Sequence, residues 1–149
     1  WDPAVAEKIA VHARCSVMVT RELQGGKGHL LCTDGSDRAM EMIRKSAGFV
    51  KRTGAGHLSI LSVALSEEGA AEARAAVDKA TELVRSMDME PREVFTRVGN
   101  PVEEIIKAGA EYSIIVTGDT GKTGIQRFFM GSVAFKVMEY AENSVMVVR

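Results

Sequence analysis

Gly118, Gly121 and the pair Gly131-Ser132 form a G-x2-G-x9-G-S pattern directly after an apolar run, Ser113-Ile114-Ile115-Val116-Thr117. Glycines that close a strand let the backbone turn with positive φ and bring amide N–H groups to an anion with no Cβ in the way. A phosphate suits such a loop. Gly131-Ser132 reads as the start of the last helix, where free N–H groups, a hydroxyl and the positive end of the dipole would complete the cradle. Lys122 and Arg127 in the same loop attract a phosphate, or are simply solvated. Asp119 repels it unless Mg²⁺ intervenes. Asp34, at the end of another apolar run, either faces the ligand or satisfies backbone N–H groups at a turn. The bland reading of these glycines is loop punctuation. Gly121-Lys122-Thr123 resembles the end of a Walker A loop, but the glycine required five residues earlier is Val116, so that reading fails.

These residues need a scaffold that brings two loops together. From residue 28 onward, short β-rich runs alternate with longer amphipathic ones, which predicts parallel strands joined by helices. His29 to Thr33 is the first strand. Ser36 caps a helix carrying Met40, Ile43, Ala47 and Val50 at helical spacing, and Gly54 to Gly56 stop it. A second strand covers about 58 to 63. An exposed helix is predicted from Ser66 to about Met89, and a third strand near 94 to 98. Asn100-Pro101-Val102-Glu103 starts a helix that buries Ile105, Ile106 and Ala110. The fourth strand, 113 to 117, delivers the glycine loop. A last helix with Ala134, Val137, Met138 and Ala141 leads to a closing strand, 145 to 148. In an open parallel sheet the ligand crevice lies beyond the carboxyl ends of the strands, where strand order reverses. Asp34 and Gly118 both fall at that edge, and neighbouring positions there would make a nucleotide crevice.

Composition narrows the partners. The chain has 149 residues, 46% hydrophobic and 26% charged, the balance of one globular domain with a sizeable core. Nineteen Lys and Arg against 20 Asp and Glu leave a net charge of −1, which recommends neither nucleic acid nor an anionic membrane. The apolar runs are too short to span a bilayer and the start lacks a signal-peptide layout, so a cytoplasmic location is the default expectation. Cys15 and Cys32 lack metal-site spacing and read as small core residues. His12, His29 and His57 are scattered and read as solvent-facing positions.

Taken together, the residues resemble the universal stress protein family, whose nucleotide-binding members carry G-x2-G-x9-G-(S/T) between the fourth strand and the last helix. The resemblance extends to Thr33-Asp34-Gly35-Ser36, Gly99-Asn100-Pro101 and the ending from Gly131 to Arg149, and covers roughly residues 28 to 149. It implies a Rossmann-like α/β fold with a five-stranded parallel sheet in the order 3-2-1-4-5. It also implies ATP or AMP as ligand, with or without Mg²⁺, and a homodimer or tandem-domain pair joined through the last strand. Carried over, Gly118, Gly121, Gly131 and Ser132 would hold phosphates and ribose. Thr33 and Asp34 would lie near the ribose, Asp34 also near any metal, and the Val63 backbone would meet the adenine edge. Lys122 and Arg127 belong to the same loop. Asp119 and Ser113 depart from the family's frequent residues, and Asp119 leaves the phosphate's charge environment open.

Residues 5 to 21 repeat residues 133 to 149 at an offset of 128, with nine identities in 17. Ala6, Ile9, Ala10 and Ala13 echo the last helix, and Ser16-Val17-Met18-Val19 repeats the closing strand letter for letter. The expected organisation is the helix and strand of a preceding, similar domain over 1–22, a linker over 23–28, and an intact domain over 29–149. Gly131-Ser132 corresponds to Pro3-Ala4, so the upstream phosphate site would be degenerate. The leading strand needs an edge to pair with, and the closing strand, on this chain or another copy, is the expected one.

An adenine-nucleotide-binding regulatory module of the stress-response type is the leading reading. The alternatives are a slow Mg²⁺-dependent ATPase using Asp34 or Asp119, and a dimerisation module that binds no nucleotide. No nucleophile paired with a base is visible. A phosphoacceptor receiver domain would need a phosphorylatable aspartate after the third strand, where the chain has Arg97-Val98-Gly99.

Overall fold

A computed structural model describes the backbone of residues 3–21, 25–119 and 125–149; side chains are described for these residues except 3, 4, 7, 11 and 125–130. In chain order the elements are α1 (Pro3–His12), β1 (Val17–Val19), β2 (His29–Cys32), α2 (Asp37–Thr53), β3 (Leu58–Ala64), a 3-10 turn (Glu67–Gly69), α3 (Ala70–Ser86), β4 (Val94–Val98), α4 (Pro101–Gly109), β5 (Ile114–Gly118), α5 (Ile125–Tyr140) and β6 (Ser144–Val148).

The architecture is α/β and Rossmann-like. Its sheet runs β1-β6-β5-β2-β3-β4, with β2 to β6 mutually parallel and β1 antiparallel to β6. The expectation of five parallel strands is therefore corrected to a mixed sheet of six. The leading strand adds itself to the edge of β6 because an unpaired β6 would leave a row of backbone donors and acceptors without partners.

β2 and β3 are buried along their whole length, as strands covered by helices on both faces must be. Alternation divides their side chains between two cores. Leu30, Cys32 and Leu61 pack with Ile105, Val133, Val137 and Met138 beneath α4 and α5, and Ala10 of α1 joins them. Leu31, Leu58 and Ile60 pack with Ile43, Ala47, Val77 and Val84 beneath α2 and α3. Each fully buried Leu or Ile contributes about 1.5–3 kcal/mol of transfer free energy.

Local signals hold where their chemistry is short-range. The Ser36 hydroxyl accepts from the Ala39 N–H at 3.1 Å, and Gly54 ends α2 with φ 63°. Asn100 accepts from the Glu103 N–H at 3.1 Å, with Pro101 in the first turn. Several expectations are corrected. α3 is amphipathic rather than exposed, burying Ala73, Ala76, Val77, Ala80 and Val84 against the sheet. Ala110 lies exposed at the end of α4. Cys15 is exposed while Cys32 is buried. Ile9 is 54% exposed although Ala10 beside it is buried. His29 is buried, because it opens a central strand. No helix among the described residues is long and apolar enough to cross a membrane.

Candidate functional site

Strand order reverses between β2 and β5: from β2 the chain proceeds outward through β3 and β4, then returns to β2's other side with β5. The register pairs Leu31 with Val116 and Cys32 with Leu61. Continuing it sets Thr33 level with Gly118, and Asp34 level with Val63, at the carboxyl edge. The fold thus brings Thr33, Asp34, Val63 and Gly118 together where a ligand crevice forms in such sheets.

Hydrogen bonds define what each of them has left to offer. The Thr33 hydroxyl accepts from the Gly35 N–H at 3.1 Å, and Asp34 Oδ1 accepts from the Ser36 N–H at 3.0 Å. Asp34 is therefore at least partly a turn residue, the simpler of its two expected roles. The N–H groups of Gly35, Ser36 and Ala39 thus all have side-chain acceptors within this turn. Gly35 itself has φ 77°, and a Cβ there would stand 3.0 Å from the Ala76 methyl, so α3 packs against a position that only glycine fills without strain.

Beyond Gly118 the electrostatics differ from what the residue types suggest. Asp119 has a side chain only 10% exposed and is gripped from two directions. Arg38 Nη2, on the first turn of α2, lies 3.3 and 3.2 Å from its two oxygens, and Arg149 Nη1 lies 3.4 Å from Oδ2. Alone, a carboxylate about 4 Å from a phosphate would oppose it by roughly 4 kcal/mol at the effective dielectric of a protein surface. Here two guanidinium charges against one carboxylate leave these three side chains at +1. Arg38 and Arg149 were missed in the sequence because they stand 81 and 30 residues from Asp119, and only the closed fold joins them.

One half of the expected cradle is corrected. α5 begins at Ile125, so Gly131 and Ser132 sit inside the helix and their N–H groups are interior helical donors. What Gly131 provides is clearance: a Cβ there would lie 3.9 Å from the Asp119 carbonyl oxygen, so helix and loop approach closely with no side chain between. Ser132 is exposed. Gly121 and Lys122 lie outside the described residues, as does the side chain of Arg127. Among the described residues no three His, Cys, Asp or Glu side chains cluster to hold a metal, so Asp34 has no such companions there.

The model of the universal stress protein family matches residues 29–149. The chain belongs to the universal stress protein family. A curated member, Universal stress protein MJ0531 of Methanocaldococcus jannaschii, is 28% identical over 133 residues, spanning 78% of each chain. Solved structures of the family share the fold. A universal stress protein from Archaeoglobus fulgidus superposes with TM-score 0.72 at 20% identity, covering 97% of this chain, which in turn spans 53% of its length. A universal stress protein in complex with cAMP has TM-score 0.65 at 21% identity, covering 82% of this chain and 96% of its own. One from Archaeoglobus fulgidus in complex with dAMP has TM-score 0.65 at 22% identity, covering 82% and 97%.

A second hollow, of about 710 Å³, opens at the opposite end of the sheet, where β3, β4 and β5 begin. Lys27, His57, Arg92, Phe95, Lys107 and Tyr112 contribute to its walls. The Tyr112 hydroxyl donates to Glu93 Oε1 at 2.8 Å, and burial above all pushes its pKa up to about 12. It is separate from the crevice that the family motif marks.

Proposed function

We propose that this domain binds an adenine nucleotide, ATP or AMP, in the crevice between the ends of β2 and β5, as a regulatory module of the stress-response type. The observation that carries the proposal is the corner beside Gly118, where Asp119 is neutralised twice over and the surplus charge favours a phosphate. Gly118, Gly121, Lys122 and Arg127 would take the phosphates and ribose, with Gly131 leaving the clearance and Ser132 offering its hydroxyl rather than a helix-start N–H. Thr33 and Asp34 would border the ribose, and the Val63 backbone the adenine. Family members crystallised with cAMP and with dAMP support the class, since these ligands share an adenine and a phosphate. Counter-charge that Mg²⁺ would bring near Asp119 is supplied in this reading by Arg38 and Arg149.

Ligand-induced stabilisation tests the reading. AMP, ADP and ATP at a hundred times their dissociation constants should each add about 2.7 kcal/mol to unfolding free energy. Chelating Mg²⁺ should change the AMP midpoint little. A midpoint unmoved by all three nucleotides at millimolar concentration would overturn the proposal.

A further inference from the structure

The repeat is legible in three dimensions as a two-fold axis. β1 and β6 pair with Met18 opposite Met146, and the flanking pairs Val17–Val147 and Val19–Val145 exchange under rotation about that central pair. Side-chain contacts follow the same operation. The Arg21 N–H donates to Ser144 Oγ at 3.0 Å, and the Arg149 N–H donates to Ser16 Oγ at 3.1 Å. The Arg21 guanidinium donates to the Met138 carbonyl in α5, and that of Arg149 to the Ala10 carbonyl in α1. Every residue named here has its mate 128 positions away, the offset of the repeat. The α1–β1 unit therefore occupies the place that a second α5–β6 unit would take in an isologous pair.

Among the described contacts, the two arginines differ at Nη1. Arg21 Nη1 donates to the Asn143 carbonyl at 3.1 Å, whereas Arg149 Nη1 reaches Asp119 at 3.4 Å. Arg149 thus holds the docked helix with one end of its planar fork and the carboxylate beside the glycine loop with the other. We propose that Arg149 couples occupancy of the β6 edge to anion binding in the crevice, acting as a positioning residue; the inference rests on the nucleotide reading above. Undocking α1–β1 removes the Ala10 carbonyl and the Ser16 hydroxyl that orient Arg149. Asp119 then depends on Arg38, whose side chain is 63% exposed, and the corner loses its surplus charge. Phosphate affinity falls, and by reciprocity a bound phosphate tightens the docked unit.

A double-mutant cycle in the full chain tests this, with AMP affinity read by calorimetry at dilutions where ultracentrifugation shows a monomer. Val19→Asp places a charge on the half-buried strand residue that packs against the core, and should undock β1. It should weaken AMP binding at least about fivefold, the lower end of typical coupling between sites. Arg149→Gln should weaken it comparably, and the double variant no further than either alone. Arg21→Gln, which loosens the other half of the clasp without touching Asp119, replaces Val19→Asp should that variant misfold. In the parent chain AMP should slow amide exchange at residues 17–19, and in Arg149→Gln it should not. Losses that multiply in the double variant, or an undocked β1 with unchanged AMP affinity, overturn the coupling while leaving nucleotide binding intact. A parent chain that binds no AMP overturns both.

Discussion

His29 shows how position overrides residue type. It opens a central strand, 5% exposed, with neither ring nitrogen hydrogen-bonded among the described residues and Phe49 edge-on at 6.4 Å. Burial, and then the nearby charge of His57, lower its pKa. The unfolded chain therefore takes up the proton first as pH falls below about 6.5, and stability falls toward the depressed folded value. The slope reaches at most about 1.4 kcal/mol per pH unit for one proton. Denaturant titrations at pH 7 and pH 5 should show this loss, and His29→Leu should flatten it; an unchanged slope would locate the acid sensitivity elsewhere. The same scale governs the crevice corner. Arg38→Ala removes one of two counter-charges from Asp119, so AMP affinity should fall and Asp119→Asn in addition should restore much of it. Restoration is the informative outcome, because it distinguishes charge from lost packing.

At the scale of elements, the sequence was legible where hydrogen-bonding chemistry is local. Ser36 and Asn100 cap the helices their types predict, and Asn100→Ala should cost about 1 kcal/mol in a thermal or urea melt. Gly28, before β2, has φ 79°, and a Cβ there would stand 2.7 Å from the His57 carbonyl oxygen. Gly28→Ala should destabilise by roughly 1–2 kcal/mol from backbone conformation alone, with the clash added; a neutral melt would show that the β2–β3 entry relaxes freely. The start of α5 was misread because Gly-Ser looks like a helix entry, yet the residues from Ile125 continue the helix upstream of it. The buried stripe of α3 was missed because it is built mostly of alanines among charged neighbours, a weak amphipathic signal. The Arg38–Asp119–Arg149 triad was illegible for another reason: its members share no periodic pattern, and only tertiary closure unites them.

For the whole molecule, the repeat foretold that residues near 17 to 19 would seek the β6 edge, and they do. What the letters could not convey is that the two-fold relation extends to the arginine clasp and that one arm of it ends beside the glycine loop. Sheet order, switch point and charged corner together make the crevice the centre of the molecule's proposed activity. Calorimetric titration of the intact chain with AMP, beside a Gly131→Arg variant shown by circular dichroism to be folded, tests that claim most directly. Saturable heat is expected at submillimolar AMP in the parent, and its loss in the variant, whose side chain fills the clearance between α5 and Asp119. A folded parent silent to millimolar AMP, or a variant that binds as tightly, would contradict it.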